Sequence, residues 1–96
     1  MSVLDPRLLL LDGDDNVLVL GTPVASGDVL LIDGVCVRTD APIGRGHKVA
    51  RRPIALNEQI IKYGAPIGRA TAVIARGEHV HVHNIRSDYT PTYVIG

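Results

Sequence analysis

The chain contains no tryptophan and no phenylalanine, a single cysteine, and no excess of either charge, ten basic residues being matched by ten acidic ones. Each shortage excludes something. Without Trp or Phe there is no stacking platform for nucleic-acid bases. Without a net positive field there is no electrostatic footprint for nucleic acid or an anionic membrane. Cys36 has no second cysteine to pair with, so an internal disulfide is excluded and a reducing compartment is favoured. Lying between Val35 and Val37, it reads as a buried, inert thiol in a strand. Long apolar runs are missing too. Leu8-Leu9-Leu10-Leu11 is cut off by Asp12-Gly13-Asp14-Asp15, too soon for a signal sequence or a membrane span. The expected localisation is cytoplasmic.

What is present points to one small all-β domain. Ninety-six residues suffice for a single core. The apolar residues are almost wholly Val, Ile, Leu and Ala, and ten glycines and six prolines impose many turns. Turn signals arrive roughly every eight to twelve residues, as in all-β domains. The spacing predicts strands at Leu8–Leu11, Val17–Leu20, Val29–Ile32, Val35–Val37, His47–Arg51, Gln59–Tyr63, Ala70–Ile74 and His79–His83. Asp33-Gly34 between two apolar runs is a strong two-residue hairpin signal. No window carries a convincing helical apolar period over ten or more residues. Residues 85–96 read as a C-terminal tail.

An internal echo organises the middle of the chain. Pro23-Val24-Ala25-Ser26-Gly27-Asp28, Pro53-Ile54-Ala55-Leu56-Asn57-Glu58 and Val73-Ile74-Ala75-Arg76-Gly77-Glu78 share one pattern. An aliphatic-Ala pair is followed by a tight turn at Gly or Asn, an acid, and a strand. Gly and Asn suit a positive φ. The acid that follows is placed to bond a backbone N–H of the turn, so Asp28, Glu58 and Glu78 read as structural.

The densest chemistry lies in Gly77-Glu78-His79-Val80-His81-Val82-His83-Asn84, which holds three of the four histidines. In a strand, alternate side chains share a face. His79, His81 and His83 would then line one side, with Val80 and Val82 on the other, toward the core. Imidazole is the commonest metal ligand and titrates nearest neutrality. Residues two apart on a strand are roughly 6.6–7 Å apart along the chain, so neighbouring histidines can converge on one ion with bonds of about 2.0–2.1 Å. All three could converge only on a bulged or bent strand. The ordinary alternative is a solvated polar face.

A resemblance extends this. Gly46-His47-Lys48-Val49-Ala50, Ile61-Lys62-Tyr63-Gly64, Ile67-Gly68-Arg69-Ala70-Thr71 and the HVHVHN motif resemble the small SAF-type domain of the altronate/galactarate dehydratase family. Asp15-Asn16-Val17 and Ala25-Ser26-Gly27-Asp28 are similar to its opening. The likeness runs from about residue 8 to residue 85. It implies a β-clip fold, with compact antiparallel strands and long loops. It also implies hydro-lyase chemistry on a sugar acid, or the small subunit of a sulfolactate sulfo-lyase, and an iron-dependent reaction with Fe2+ or another divalent metal. The chain stops soon after the motif, so it resembles the separate small subunit. Its implied partners are a large catalytic subunit and a sugar-acid substrate, and a homo-oligomer is allowed. Alone, the chain is expected to be inactive.

On this resemblance His81, His83, His47 and Lys48 are the catalytic candidates, with His79, His81 and His83 as metal ligands. Lys62 and Tyr63 are weaker candidates for substrate contact, and Lys62 reads equally as a solvated strand residue. Two rivals were weighed. A cupin-like metalloenzyme would want a later carboxylate and a further histidine, yet after His83 come Asn84-Ile85-Arg86-Ser87-Asp88 and no histidine. A non-catalytic carbohydrate-binding or assembly module would share the fold without the turnover.

Overall fold

The computed structural model describes residues 3–87, and among these lie nine short strands. They are β1 (Leu8–Leu9), β2 (Val17–Leu20), β3 (Val29–Ile32), β4 (Val35–Arg38), β5 (Lys48–Ala50), β6 (Gln59–Lys62), β7 (Ala65–Ala70), β8 (His79–Val80) and β9 (Ile85–Arg86). All pairings are antiparallel. A central sheet has the order β1-β2-β5-β8, β3 and β4 form a hairpin, and β6-β7-β9 form a third sheet. Among the described residues there is no helix. The all-β expectation holds, and the architecture is consistent with a β-clip.

Alternation across the central sheet explains its two cores. Leu18, Leu20 and Val49 point to one side and join Leu8, Val24, Leu30, Ile32 and Ile43. Val17, Ala50 and Val80 point to the other and join Ile54, Ile60, Ala70 and Ile74. The Leu18↔Val49 and Val17↔Ala50 pairings keep each facing in register. A sheet buried on both faces reads as continuous apolar sequence, and the Val-Leu-Val-Leu of β2 fits that description.

The echo is deeper than the sequence suggested. The same turn occurs four times, at residues 24–28, 43–47, 54–58 and 74–78. The first residue of each is buried, and these pair as Val24↔Ile43 and Ile54↔Ile74. The fourth residue of each has a positive φ: Gly27 (88°), Gly46 (85°), Asn57 (69°) and Gly77 (80°). Three copies carry the acid, and each carboxylate accepts the N–H of the alanine three residues earlier. These bonds are Ala25 to Asp28, Ala55 to Glu58 and Ala75 to Glu78, all 2.9 Å. The remaining copy has His47 in place of the acid and Gly44 in place of the alanine, which hid it from the sequence pattern.

Each half of the chain is thus a turn, a hairpin and a second turn. Both hairpins bend through two positive-φ residues, Asp33 (49°) and Gly34 (82°) in one, Tyr63 (56°) and Gly64 (73°) in the other. That is the two-residue form whose twist matches the flanking strands. An upstream side chain clamps each. Asp5 accepts the N–H of Leu31 (3.3 Å) and Asn16 that of Ile61 (2.7 Å). Asp15 adds bonds from the amides of Tyr63 (3.0 Å) and Gly64 (2.8 Å).

Several expectations are corrected. The strand placed at Ala70–Ile74 lies instead at Ala65–Ala70, across Pro66 and Gly68. Gly68 is there because β9 runs against it: a Cβ would sit 2.3 Å from the Arg86 carbonyl oxygen. The strand at His79–His83 stops at Val80, and Val82, expected inside, is 78% exposed. Cys36 is exposed rather than buried, because the β3–β4 hairpin leaves its outer face uncovered. Ile85–Arg86, placed in the tail, pairs with β7; residues 88–96 of that tail lie outside the described residues.

Candidate functional site

The histidine motif folds as a short strand running into a tight turn. Asn84 causes the break. Its side chain accepts the N–H of His81 (2.9 Å) and donates to the carbonyl of His79 (2.9 Å). The backbone then closes with Asn84 N–H and Ile85 N–H both donating to the His81 carbonyl, at 3.0 and 3.1 Å. Asn84 is buried, so these bonds form in a low-dielectric setting where they hold most firmly. A straight strand would hold the three rings in a row. The turn gathers them.

Antiparallel pairing of β5 with β8 places Val49 opposite His79 and brings His47, at the foot of β5, to the same place. His47 Nδ1 lies 3.0 Å from His79 Nε2. The rings of His47 and His81 have centroids 4.9 Å apart, and those of His79 and His81 stack at 5.5 Å with planes 8° apart. One donor nitrogen from each of His47, His79 and His81 lies within 4.8 Å of the others. His83 is a neighbour rather than a member: its ring is 5.4 Å from that of His79. The set that could hold a cation is therefore His47, His79 and His81, whereas the sequence pattern grouped His83 with His79 and His81.

Three half-buried imidazoles suit a borderline divalent ion such as Fe2+ or Zn2+ better than Mg2+ or Ca2+, which prefer oxygen. Two nitrogens bonded at about 2.1 Å to one ion, at a right angle, stand about 3.0 Å apart, the separation His47 and His79 already have. Protonation favours the same use. Burial, then the neighbouring His47, His83, His81 and Lys48, push the His79 pKa down. Burial, then His47, Lys48 and His83, push that of His81 down. Both rings are thereby held in the neutral form that ligates or accepts a proton.

Lys48 is half-buried on β5, and burial followed by repulsion from Lys62 lowers its pKa. Lys62 ends β6 with its ammonium 5.5 Å from the centre of the Tyr63 ring. Tyr63 itself occupies a hairpin turn and is 69% exposed, so its geometry is first of all that of a turn residue. Gly44 lies beside the His47 ring, where a Cβ would stand 3.4 Å from His47 Cδ2, an ordinary contact. The site residues that sequence reasoning missed are Asn84, quoted but given no task, and Arg76. The latter lines a groove with His79 and His83. Its position one turn before the histidines was the available signal.

The fold and this histidine-lined corner define a SAF-type β-domain. Residues 6–88 match the family model described as the altronate/galactarate dehydratase SAF domain, and the chain belongs to that family. It is similar to an altronate dehydratase of Bacillus subtilis (strain 168), 40% identical over 87 residues, covering 82% of this chain and 18% of the relative. An altronate dehydratase of Escherichia coli (strain K12) is 45% identical over 74 residues, covering 77% of this chain and 15% of the relative. The alpha subunit of a (2R)-sulfolactate sulfo-lyase from Chromohalobacter salexigens is 49% identical over 51 residues, covering 53% of this chain and 52% of the relative. The chain therefore spans under a fifth of the length of the dehydratases and about half of the sulfo-lyase subunit.

Proposed function

We propose that this chain is the small subunit of a sugar-acid hydro-lyase of the altronate/galactarate type, and that it contributes His47, His79, His81 and Lys48 to a metal-dependent site shared with a large subunit. The observation that carries the reading is the convergence of His47, His79 and His81 donors in a domain of this family. Dehydration of a 2,3-dihydroxy acid removes the proton α to the carboxylate and expels the β-hydroxyl as water. The resulting enol rearranges to the 2-keto acid. Charge builds up on the carboxyl group during proton removal, and cationic groups aimed at it lower the barrier. A bound Fe2+, or another divalent ion held by the three imidazoles, would supply Lewis acidity toward the substrate oxygens. With those three rings committed to the ion, His83, whose ring is 5.4 Å from that of His79, is the imidazole left to take the α proton or return one to the departing hydroxyl. Lys48, beside His79 and His81, adds positive charge on the same side. Lys62, close enough to Lys48 to lower its pKa, and the exposed Tyr63 are the remaining candidates for substrate contact.

Kinship with a sulfo-lyase subunit alpha favours a second reading, in which the substrate is a sulfo-acid and the leaving group departs from carbon as sulfite. Both readings share the proton abstraction and differ in the large subunit's pocket. The test is reconstitution with a large subunit, scoring turnover of altronate, galactarate and sulfolactate after stripping and restoring metal. His47→Ala and His81→Ala should each cost at least about 100-fold in turnover and lower metal stoichiometry, with His83→Ala milder on metal. Full activity of the His47→Ala, His81→Ala double variant would refute the shared site and leave a carbohydrate-binding or assembly module.

A further inference from the structure

The half-buried arginines of the described residues are Arg7, Arg51, Arg69 and Arg76. Arg7 is paired with Asp5 at 2.8 Å, Arg51 with Asp33 at 3.0 Å, and Arg69 donates to the Asn57 carbonyl at 3.0 Å. Arg76 has neither an ion pair nor a side-chain hydrogen bond among the described residues, and its Nε is sealed from solvent without a partner. A guanidinium partly removed from water, with a nitrogen left without a hydrogen-bond partner, is unfavourable unless something brings it an acceptor. Arginine is the side chain best shaped to receive a carboxylate through two parallel N–H bonds.

Arg76 lies in the turn just before β8 and lines a groove of about 520 Å³ with Arg38, Asp40, Glu78, His79 and His83. Two acids share that wall with two arginines, Arg38 and Arg76. Glu78 is engaged with the Ala75 amide, and Asp40 is exposed to water. On its other side Arg76 borders a cavity of about 370 Å³ shared with Asp14, Asp15 and Asp33 and with Arg51 and Arg52. That cavity holds no imidazole, whereas the groove sets Arg76 beside His79 and His83. We infer that the groove beside the histidines is the subsite for the substrate's carboxylate, with Arg76 as its anchoring residue. The inference rests on the lyase reading above for the identity of the acid. It adds to that reading a direction: the carboxylate end of the substrate lies toward Arg76, and the carbons to be deprotonated lie toward His79 and His83. The volume suits a six-carbon acid, being at the lower end of ordinary ligand pockets.

The experiment uses the 15N-labelled full chain, titrated with sodium galactarate, galactitol and sodium chloride at matched ionic strength, and watches backbone amides and arginine Nε–Hε signals. Galactarate should bind at least about tenfold more tightly than galactitol. Its shifts should fall in residues 37–43 and 75–83, with the Arg76 Nε–Hε signal among them. Arg76→Gln should abolish the preference for the acid while keeping the thermal midpoint, since no side-chain bond of Arg76 among the described residues is lost. Arg76→Lys should restore part of it. Equal binding of acid and polyol, shifts confined to the cavity at Asp14 and Asp33, or an undiminished preference in Arg76→Gln would each overturn the assignment. Failure of the lyase reading looks different: acid binding through Arg76 would persist although the reconstituted enzyme needs neither metal nor histidines.

Discussion

Gly77 offers the sharpest test of how this fold is held together, because two separable penalties meet there. Its φ of 80° is one that an L-residue adopts at a cost of roughly 1–2 kcal/mol. Its missing Cβ is also a contact. An atom placed there would lie 2.6 Å from Val37 Cγ1 and 3.1 Å from Val37 Cβ, on a stiff, β-branched residue of β4. Overpacking of that kind typically costs about 1–3 kcal/mol. Gly77→Ala should therefore lose about 2–5 kcal/mol, a large part of the 5–15 kcal/mol usual for a domain. Gly27 occupies the equivalent place in the first turn, with φ of 88° and nothing within 4 Å of a Cβ. Gly27→Ala should lose only the backbone share, about 1–2 kcal/mol. Val37→Ala added to Gly77→Ala should recover most of the difference, as a non-additive coupling. Urea unfolding followed by far-ultraviolet circular dichroism gives the midpoints for all variants. Equal shifts for Gly77→Ala and Gly27→Ala, or strict additivity with Val37→Ala, would refute the steric half of the reasoning.

Other expectations concern charge and facing. The Arg7 side chain, outweighing the burial that opposes it and aided by the Arg7 and Leu31 amides, holds the Asp5 carboxyl well below the usual carboxylate range. Its folded pKa is thus lower than its unfolded value of about 3.9. The stability it contributes is present above that value and is lost as pH falls below it. Asp5→Asn should lower the thermal midpoint at pH 6 and flatten its decline between pH 5 and pH 2; an unchanged decline would show that Asp5 is not the titrating brace. Val80 is fully buried and Val82 is 78% exposed. Val80→Ala should cost about 1–3 kcal/mol and Val82→Ala less than about 0.5, in paired melts; the reverse order would place the strand end elsewhere.

Much of this fold could be read from sequence because its rules are local. Asp33-Gly34 declared a hairpin through the positive φ it demands, and β2 and β3 were located to the residue by their aliphatic runs. The acids of the echoed turn were legible because a carboxylate two or three bonds from the backbone has little else to do. What escaped reading depends on distant chain. The strand β7 was hidden by Pro66 and Gly68; the glycine is explained only by β9 running against it, and the proline sits where the β6–β7 register shifts. The second copy of the turn was hidden because its acid had been exchanged for His47. The histidine row was assigned one straight face because period-two alternation carries no information about Asn84 reaching back to His79 and His81. The cluster itself was anticipated in part. The motif pointed to His79 and His81 and the resemblance to His47, but only the β5–β8 pairing shows which three converge.

The four corners of the domain bear unequally on its work. Three are braced from within by a carboxylate, and a brace that spans three residues of its own chain asks nothing of any neighbour. The fourth has surrendered that brace, along with the Cβ at Gly44, and set an imidazole in the gap. A scaffold that repeats a support can release one copy of it. The loss of about 1 kcal/mol for a missing hydrogen bond is carried by the other corners, and the freed position becomes open to chemistry. The proposed site therefore falls where the architecture is redundant, at the one corner whose own stiffness it does not require.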